Sequence, residues 1–307
     1  MRASQAIPDT LVLLLALLGA CLAGCGPEPT QRTAPAGEAL RLVPTTTAAL
    51  ELLSLLADPS EVVAVPEQAD RYSVEDFRQG GWETQPRFAK YEAETLLALR
   101  PSLVINHRWQ SEDTNRVLRK AGIPVLSLDS GTDYATVQAC IRQLGAALGR
   151  EERARAALAE LDGRVAELAA QRPAQRPRML VYSNDGSAGW VAGTHTTVDA
   201  VLALCGFDNA AAIAGIEGHA SCSFEQLLSI DPEWILCAVP AEGEPGLPTR
   251  SILQQTAALA SLSARREGRL LELGGALLSS DSQHIVTAAE QLLRAYRQHP
   301  AQGAAPR

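Results

Sequence analysis

Four of the five histidines, His107, His195, His219 and His284, fall where the sequence reads as loops, and three of the four tryptophans, Trp82, Trp109 and Trp190, fall in or beside loops. Imidazole nitrogens suit iron, cobalt, copper or zinc, bare or inside a chelate. An indole offers a large rigid face on which a flat conjugated ligand can lie. His107, Arg108 and Trp109 are consecutive, so one loop would carry a metal ligand, an anion-pairing guanidinium and an aromatic face. Tyr72, Trp82 and Tyr91 fall in an earlier loop region, Trp190 and His219 in the second half, and Asp281 and His284 near the end. The candidate ligand-binding set is therefore Tyr72, Trp82, Tyr91, His107, Arg108, Trp109, Trp190, His219, Asp281 and His284. His107, His219 and His284 are also the candidate metal ligands. Catalytic signatures are missing from the sequence: there is no P-loop and no HExxH. Asp185-Gly186-Ser187-Ala188-Gly189 approaches a nucleophile elbow without its first Gly. The pattern is that of a binder and not of an enzyme.

The elements that must position these residues follow from periodicity. Short β-rich runs at Arg41–Pro44, Val62–Val65, Leu103–Asn106 and Pro124–Leu128 alternate with helical patterns at 47–57, 92–99 and 112–121. A helix at 134–148 and a longer one at 150–171 follow. A second series then begins, with strands at Arg178–Tyr182, Trp190–Ala192, Trp234–Ala238 and Arg269–Leu273, and helices near 196–205, 223–230, 251–262 and 283–297. Strands separated by helix-length segments predict α/β architecture. In open parallel sheets ligands sit beyond the carboxyl ends of the strands, which is where most of the candidate loops fall. Trp234 lies inside a strand pattern and reads as core.

A phrase recurs across the two halves. Residues 94–105 read ETLLALRPSLVI, and residues 225–236, 131 positions later (225 − 94), read EQLLSIDPEWIL. Glu94/Glu225, Leu96/Leu227, Leu97/Leu228 and Pro101/Pro232 match. The interval is far longer than a solenoid unit of ~20–50 residues, so the repeat predicts two similar lobes, each opening a helix with an acid. Ser223 and Gln226 form an S-x-x-Q capping box around Glu225.

The chain has 307 residues, 46% of them apolar, and a net charge of −8. That length accommodates two ordinary domains, and that charge gives no nucleic-acid footprint. Near the start, Arg2 precedes an apolar run from Leu11 to Leu18, too short to cross a ~30 Å hydrocarbon core but suited to a signal-peptide core. Leu22-Ala23-Gly24-Cys25 follows. It has the look of a bacterial lipobox, with Cys21 a poorer second choice. Of the six cysteines, Cys140, Cys205, Cys222 and Cys237 would remain, and the sequence leaves open whether they pair. No CxxC spacing points to structural zinc.

Several phrases together carry a family resemblance: RLVPTTTAALELLSLLA at 41–57, GIPVLSL at 122–128, LGAALGREERARAALAEL at 144–161 and SFEQLLSIDPEWIL at 223–236. The chain resembles the periplasmic binding proteins of ferric-siderophore and cobalamin importers. Glu51 falls on the family Glu, whereas Leu50 and Thr47 replace the usual Thr and Pro, and Pro101-Ser102 departs from Pro-Asp. The resemblance implies two α/β lobes with central sheets, joined by one long backbone helix, with the ligand cleft between them. It assigns a signal peptide to 1–24, a tether to 25–40, an N-terminal lobe to 41–133, a helical connection to 134–172, a C-terminal lobe to 173–298 and a tail to 299–307. It implies a monomer, held to a bacterial membrane by lipid on Cys25, that captures an iron chelate (siderophore or haem) or cobalamin. Delivery would be to an ABC permease dimer with its cytoplasmic ATPase, onto which Glu94 and Glu225 dock. No resident cofactor is expected; the metal chelate or corrinoid is cargo. The alternatives are a receptor for a bare transition-metal ion using loop histidines, and a tethered sensor that works without a transporter.

Overall fold

The computed structural model describes residues 39–300, apart from 185, 187, 188 and 240–247. The leader, Cys25, Ser187 and tail residues 301–307 lie outside the described residues. The first half runs β1 (Leu42–Pro44), α1 (Thr47–Ser54), β2 (Val65–Pro66), α2 (Ala69–Tyr72), β3 (Arg87–Phe88), α3 (Ala93–Ala98), β4 (Leu103–His107), α4 (Glu112–Lys120) and β5 (Val125–Leu128). Two helices follow, α5 (Tyr134–Leu148) and α6 (Glu151–Ala170), separated by Gly149, whose φ of 65° is the left-handed cap that glycine adopts without strain. The second half contains β6 (Arg178–Asn184), β7 (Gly189–Ala192), α7 (Thr197–Cys205), β8 (Asp208–Asn209), α8 (Ala210–Ile213), β9 (His219–Ser221) and α9 (Phe224–Ile230). It ends with β10 (Trp234–Val239), α10 (Thr249–Gln255), α11 (Ser263–Arg266), β11 (Leu270–Gly274), α12 (Gly275–Ser279) and α13 (His284–Gln298).

Each lobe is organised on its own sheet. In the first, β1, β4 and β5 lie parallel in that order, with β2 and β3 forming a separate parallel pair. In the second, the order is β11-β10-β6-β7-β9, with β8 alongside β6. Residues 234–237 at the start of β10 are all buried, as a strand covered on both faces requires. One apolar core runs without a break from α1 through α5 and α6 to α7 and α13, joining the two lobes. Smaller clusters fill the outer faces of the two sheets.

The repeated phrase is a repeated structure. Helix α3 and strand β4 begin at Ala93 and Leu103, and α9 and β10 begin at Phe224 and Trp234, both pairs offset by the same interval as the sequences. Each helix ends on a left-handed residue, Arg100 (φ 47°) or Asp231 (φ 36°), followed by a proline that cannot continue it. Asp231 is anchored there by Ser263, whose N–H and hydroxyl both donate to its carboxylate at 2.8 Å.

Three expectations are corrected. The second sheet is mixed, because β7 and β9 run antiparallel. The helix expected at 251–262 breaks at Thr256, which is extended (ψ 111°), into α10, a turn of 3-10 helix and α11. Residues 62–65 contribute only the first residue of β2, Val65, with Val62 bridging Leu42. All four described cysteines are buried free thiols. Burial pushes Cys205 and Cys237 up to about 12 and Cys140 to about 11, which leaves them inert as nucleophiles.

Candidate functional site: an aromatic cleft

A cavity of about 380 Å³ opens at the carboxyl ends of β1–β4. Thr45–Thr47 line it from the end of β1, Pro66, Gln68 and Tyr72 from the end of β2, Phe88, Ala89 and Tyr91 from β3, and Trp109 and Gln110 from β4. Ser279, at the end of α12, and Ser280 and Asp281, from the segment between α12 and α13, close it from the other half of the chain. Trp109 is 69% exposed and Tyr72 40% exposed, so two aromatic faces are open to a ligand. Arg71 rests over the Tyr72 ring, 5.2 Å from its centroid.

The segment between the halves is held by a buried acid. Glu51 is completely buried. Its Oε1 accepts from Ser73 Oγ and Val74 N, each at 2.8 Å, and its Oε2 accepts from Ser280 Oγ and Ser282 Oγ, each at 2.7 Å. Gln283 Nε2 donates to the Glu51 carbonyl at 2.8 Å. Gly131 presses on the same segment: a Cβ there would stand 2.5 Å from the Asp281 carbonyl oxygen. The two serines and the glycine fix the backbone of Asp281 and aim its side chain into the cavity.

His107 stands beside Asp281. Its side chain is 1% exposed, and its Nε2 lies 3.8 Å from Asp281 Oδ2, too far for a hydrogen bond. Thr46 Oγ1, which caps α1 by accepting from Ala49 N, is 2.8 Å from His107 Nδ1. The Thr46 hydroxyl hydrogen has Nδ1 as its acceptor, which assigns the proton of the neutral ring to Nε2. That atom is buried without a hydrogen-bond partner. The ring also stacks under Trp109, centroids 6.4 Å apart and planes 20° from parallel. Burial holds the imidazole below its ordinary value of 6.5, opposed by the carboxylates of Asp281 and Asp129. The unfolded chain therefore takes this proton more readily than the folded one. The resulting stability is complete above pH ~6.5 and declines as the pH falls towards the lower folded value, by up to ~1.4 kcal/mol per unit of depression. Urea midpoints measured from pH 7.5 to 5 are expected to drop less steeply for His107→Gln than for the parent; equal slopes would contradict this.

The other candidates divide between the cleft and elsewhere. Tyr91 lines the cavity with its ring, but its hydroxyl donates to Asn115 Oδ1 and accepts from Asn106 Nδ2 at 2.8 Å. Burial also raises its pKa, so its oxygen is occupied. Trp82 packs edge-on against Phe77, centroids 5.2 Å apart, away from the cavity lining. Arg108 lies on the surface, paired with Asp129 at 2.5 Å. His284 bridges the halves instead of facing the cleft, with Nε2 3.0 Å from Glu75 Oε1. His195 is an exposed left-handed residue (φ 60°), and His299 packs on Trp234.

Trp190 and His219 line a second cavity of about 250 Å³, which shares Ser279 with the first. Trp190 lies on the expected strand, β7, whereas His219, expected in a loop, lies on β9: Trp190 pairs with Ser221 and Ala192 with His219, which puts Trp190 and His219 on one face of β7 and β9. Trp190 is 51% exposed. Among the described residues, no three of His, Cys, Asp and Glu come together as a metal-holding group. His107, His219 and His284 thus stand in three separate environments. Glu51 and Gln110 were not expected at the site. Gln110, next to Trp109, accepts from Thr45 Oγ1 at 2.6 Å and ties the β1 and β4 loops together.

Glu94 and Glu225 are both exposed first-turn residues, of α3 and α9, and neither has a hydrogen-bond or ion-pair partner among the described residues. The α9 cap is made by its neighbours: Ser223 Oγ accepts from Gln226 N at 3.2 Å and Gln226 Oε1 from Ser223 N at 2.8 Å.

Two α/β lobes with an aromatic cleft at the strand ends define a solute-binding protein. The sequence profile of the periplasmic binding protein family matches residues 37–277, and the chain belongs to that family. No curated protein sequence matches it. Among solved structures it is similar to the periplasmic haem-binding protein RhuT from Roseiflexus sp. RS-1 in apo form (25% identity, TM-score 0.70, covering 84% of this chain and 98% of that one). It is also similar to a periplasmic haem-binding protein from Pseudomonas aeruginosa (26%, TM-score 0.67, 84% and 93%). An ABC-type Fe3+-hydroxamate transport protein from Saccharomonospora viridis shares the fold (19%, TM-score 0.65, 87% and 94%).

Proposed function

We propose that this chain is an extracytoplasmic receptor that captures an iron chelate, a siderophore or haem, and hands it to an ABC importer. The observation that carries this reading is the cleft itself: exposed Trp109 and Tyr72 faces on one cavity and exposed Trp190 on the adjoining one. Aromatic faces of this size suit a flat or conjugated chelate. Similarity to haem-binding proteins at 25% and 26% identity supports it. The separation of the histidines weighs against a bare metal ion as cargo. Delivery rests on Glu94 and Glu225, one unpartnered acid on each copy of the repeat, docking onto cationic residues of a permease dimer. Lipid on Cys25 would keep the receptor at the membrane; among the described residues no helix is long and apolar enough to cross one.

Tryptophan fluorescence tests the cargo. Titrating the purified full-length chain with haemin, ferric trihydroxamates and cyanocobalamin should give saturable quenching with at least one iron chelate. Trp109→Ala should weaken that binding by about 10-fold or more, the value of one lost aromatic contact of ~1.5 kcal/mol. Absence of saturable quenching by every iron chelate would overturn the reading, and quenching by cyanocobalamin alone would replace it with a corrinoid receptor.

A further inference from the structure

The cleft has an unusual charge balance. Neither cavity is lined by any Lys or Arg among the described residues. Arg71 is held on the Tyr72 ring and Arg108 on Asp129. The acids lining the first cavity are Glu51 and Asp281, and Glu51 is consumed by four donors. Asp281 has no hydrogen-bond donor among the described residues, although its side chain is only 23% exposed. Its nearest polar neighbour, His107 Nε2, is itself buried and unpartnered at 3.8 Å. Buried polar groups in folded proteins are nearly always hydrogen-bonded. His107 Nε2 is an exception, and Asp281, on a backbone clamped by Glu51 and Gly131, faces the cavity with a half-buried carboxylate that lacks a donor among the described residues, which marks a place where a ligand supplies one.

We propose that Asp281 is a charge-selecting residue: the cleft takes iron chelates that present an ammonium or N–H group to this carboxylate, and rejects anionic ones. An ammonium or amide donor satisfies Asp281 with a charge-assisted hydrogen bond. A chelate carrying carboxylates would bring like charge to a partly buried acid with no cation to offset it. His107, kept neutral by burial, does not supply that cation. This inference rests on the iron-chelate reading above and narrows its cargo from siderophore or haem to a siderophore, because haem carries two carboxylates.

The test compares chelates that differ in charge at constant iron chemistry. Ferrioxamine B, a ferric trihydroxamate with a free ammonium, is titrated against its N-acetylated neutral form, ferric citrate and haemin. The cationic chelate is expected to bind about 10- to 100-fold more tightly than the acetylated one, the span a hydrogen bond to a charged group supplies. Asp281→Asn should erase that preference, and Asp281→Glu should keep most of it. Equal affinity for the acetylated and free forms, tighter binding of citrate or haemin, or a preference that survives Asp281→Asn overturns charge selection while leaving the iron-chelate receptor standing. Saturable binding by none of the four overturns both.

Discussion

Replacing Glu94 and Glu225 together with alanine is expected to abolish uptake of the cargo while leaving its affinity for the isolated receptor unchanged. The two acids occupy the same position in the two copies of one helix–turn–strand unit, and both are exposed and unpartnered. A structural explanation for an acid in a first helical turn exists, but it is small. The helix dipole rewards such a charge by ~0.3–1 kcal/mol, and the α9 cap is already supplied by Ser223 and Gln226. Loss of either side chain should therefore cost little stability. Docking onto a permease is a different scale of effect: interface hot spots cost about 2 kcal/mol or more each. Two such losses at separate sites weaken docking about 1,000-fold. Neither residue lines either cavity, so equilibrium binding of the cargo is untouched. The decisive comparison is uptake by cells carrying the single and double variants, alongside titration of the purified proteins. Single variants should retain partial transport, and charge reversal to Lys should be worse than Ala. Full uptake by the double variant would remove docking from the function of these residues, whatever the cargo turns out to be.

Much of the architecture was legible in the sequence because it depends on local patterns. Helices α5, α6, α7, α9 and α13 fall within a residue or so of their periodicity, and the repeat locates the matching α3–β4 and α9–β10 units. Legibility stops where tertiary pairing decides. His219 reads as a loop residue because β9 is short, and only the pairing of β9 with β7 turns its side chain and that of Trp190 onto one face. Thr256 breaks a helix whose apolar spacing runs straight through it. At the site, exposed aromatics could be anticipated, as Trp109 in its loop and Tyr72, which the structure puts at the end of α2, were. The diversion of His284 to Glu75, of the Tyr91 hydroxyl to Asn106 and Asn115, and of Arg108 to Asp129 could not. All of these partners lie 15 to 209 residues apart in sequence. No local rule encodes such choices. Signals for the residues that sequence reading overlooked were faint: Gln110 adjoins Trp109, and Glu51 stands in an otherwise apolar helix face, where an unpaired acid would be costly.

That cost leads to the largest expected stability effect, at Glu51. The side chain is fully buried, and every contact to its carboxylate is a donor: two from Ser73 and Val74 within its own half of the chain, and two from Ser280 and Ser282, 229 and 231 residues away. Alanine would leave these donors without their acceptor, three hydroxyls and an amide. Hydrogen bonds to charged groups contribute about 1.5–3 kcal/mol each and are not additive within one network. A loss of about 4 kcal/mol or more is expected, a size reserved for broken buried networks and cavities. Against a typical total of ~5–15 kcal/mol, that should lower the melting temperature by roughly 8–16 °C for a chain of this size class. Glu51→Gln should fall between the parent and alanine, since its amide keeps one acceptor but turns a second donor towards the hydroxyls. The same change should reach the cleft. Ser280 and Ser282 flank Asp281, so releasing them frees the carboxylate that faces His107. Chelate affinity should fall together with stability in Glu51→Ala, whereas Asp281→Asn should alter cargo preference at an unchanged melting temperature. A Glu51→Ala protein that melts within ~2 °C of the parent, a shift of under ~1 kcal/mol, would show that the serines find other partners and that Glu51 does not hold the two halves together.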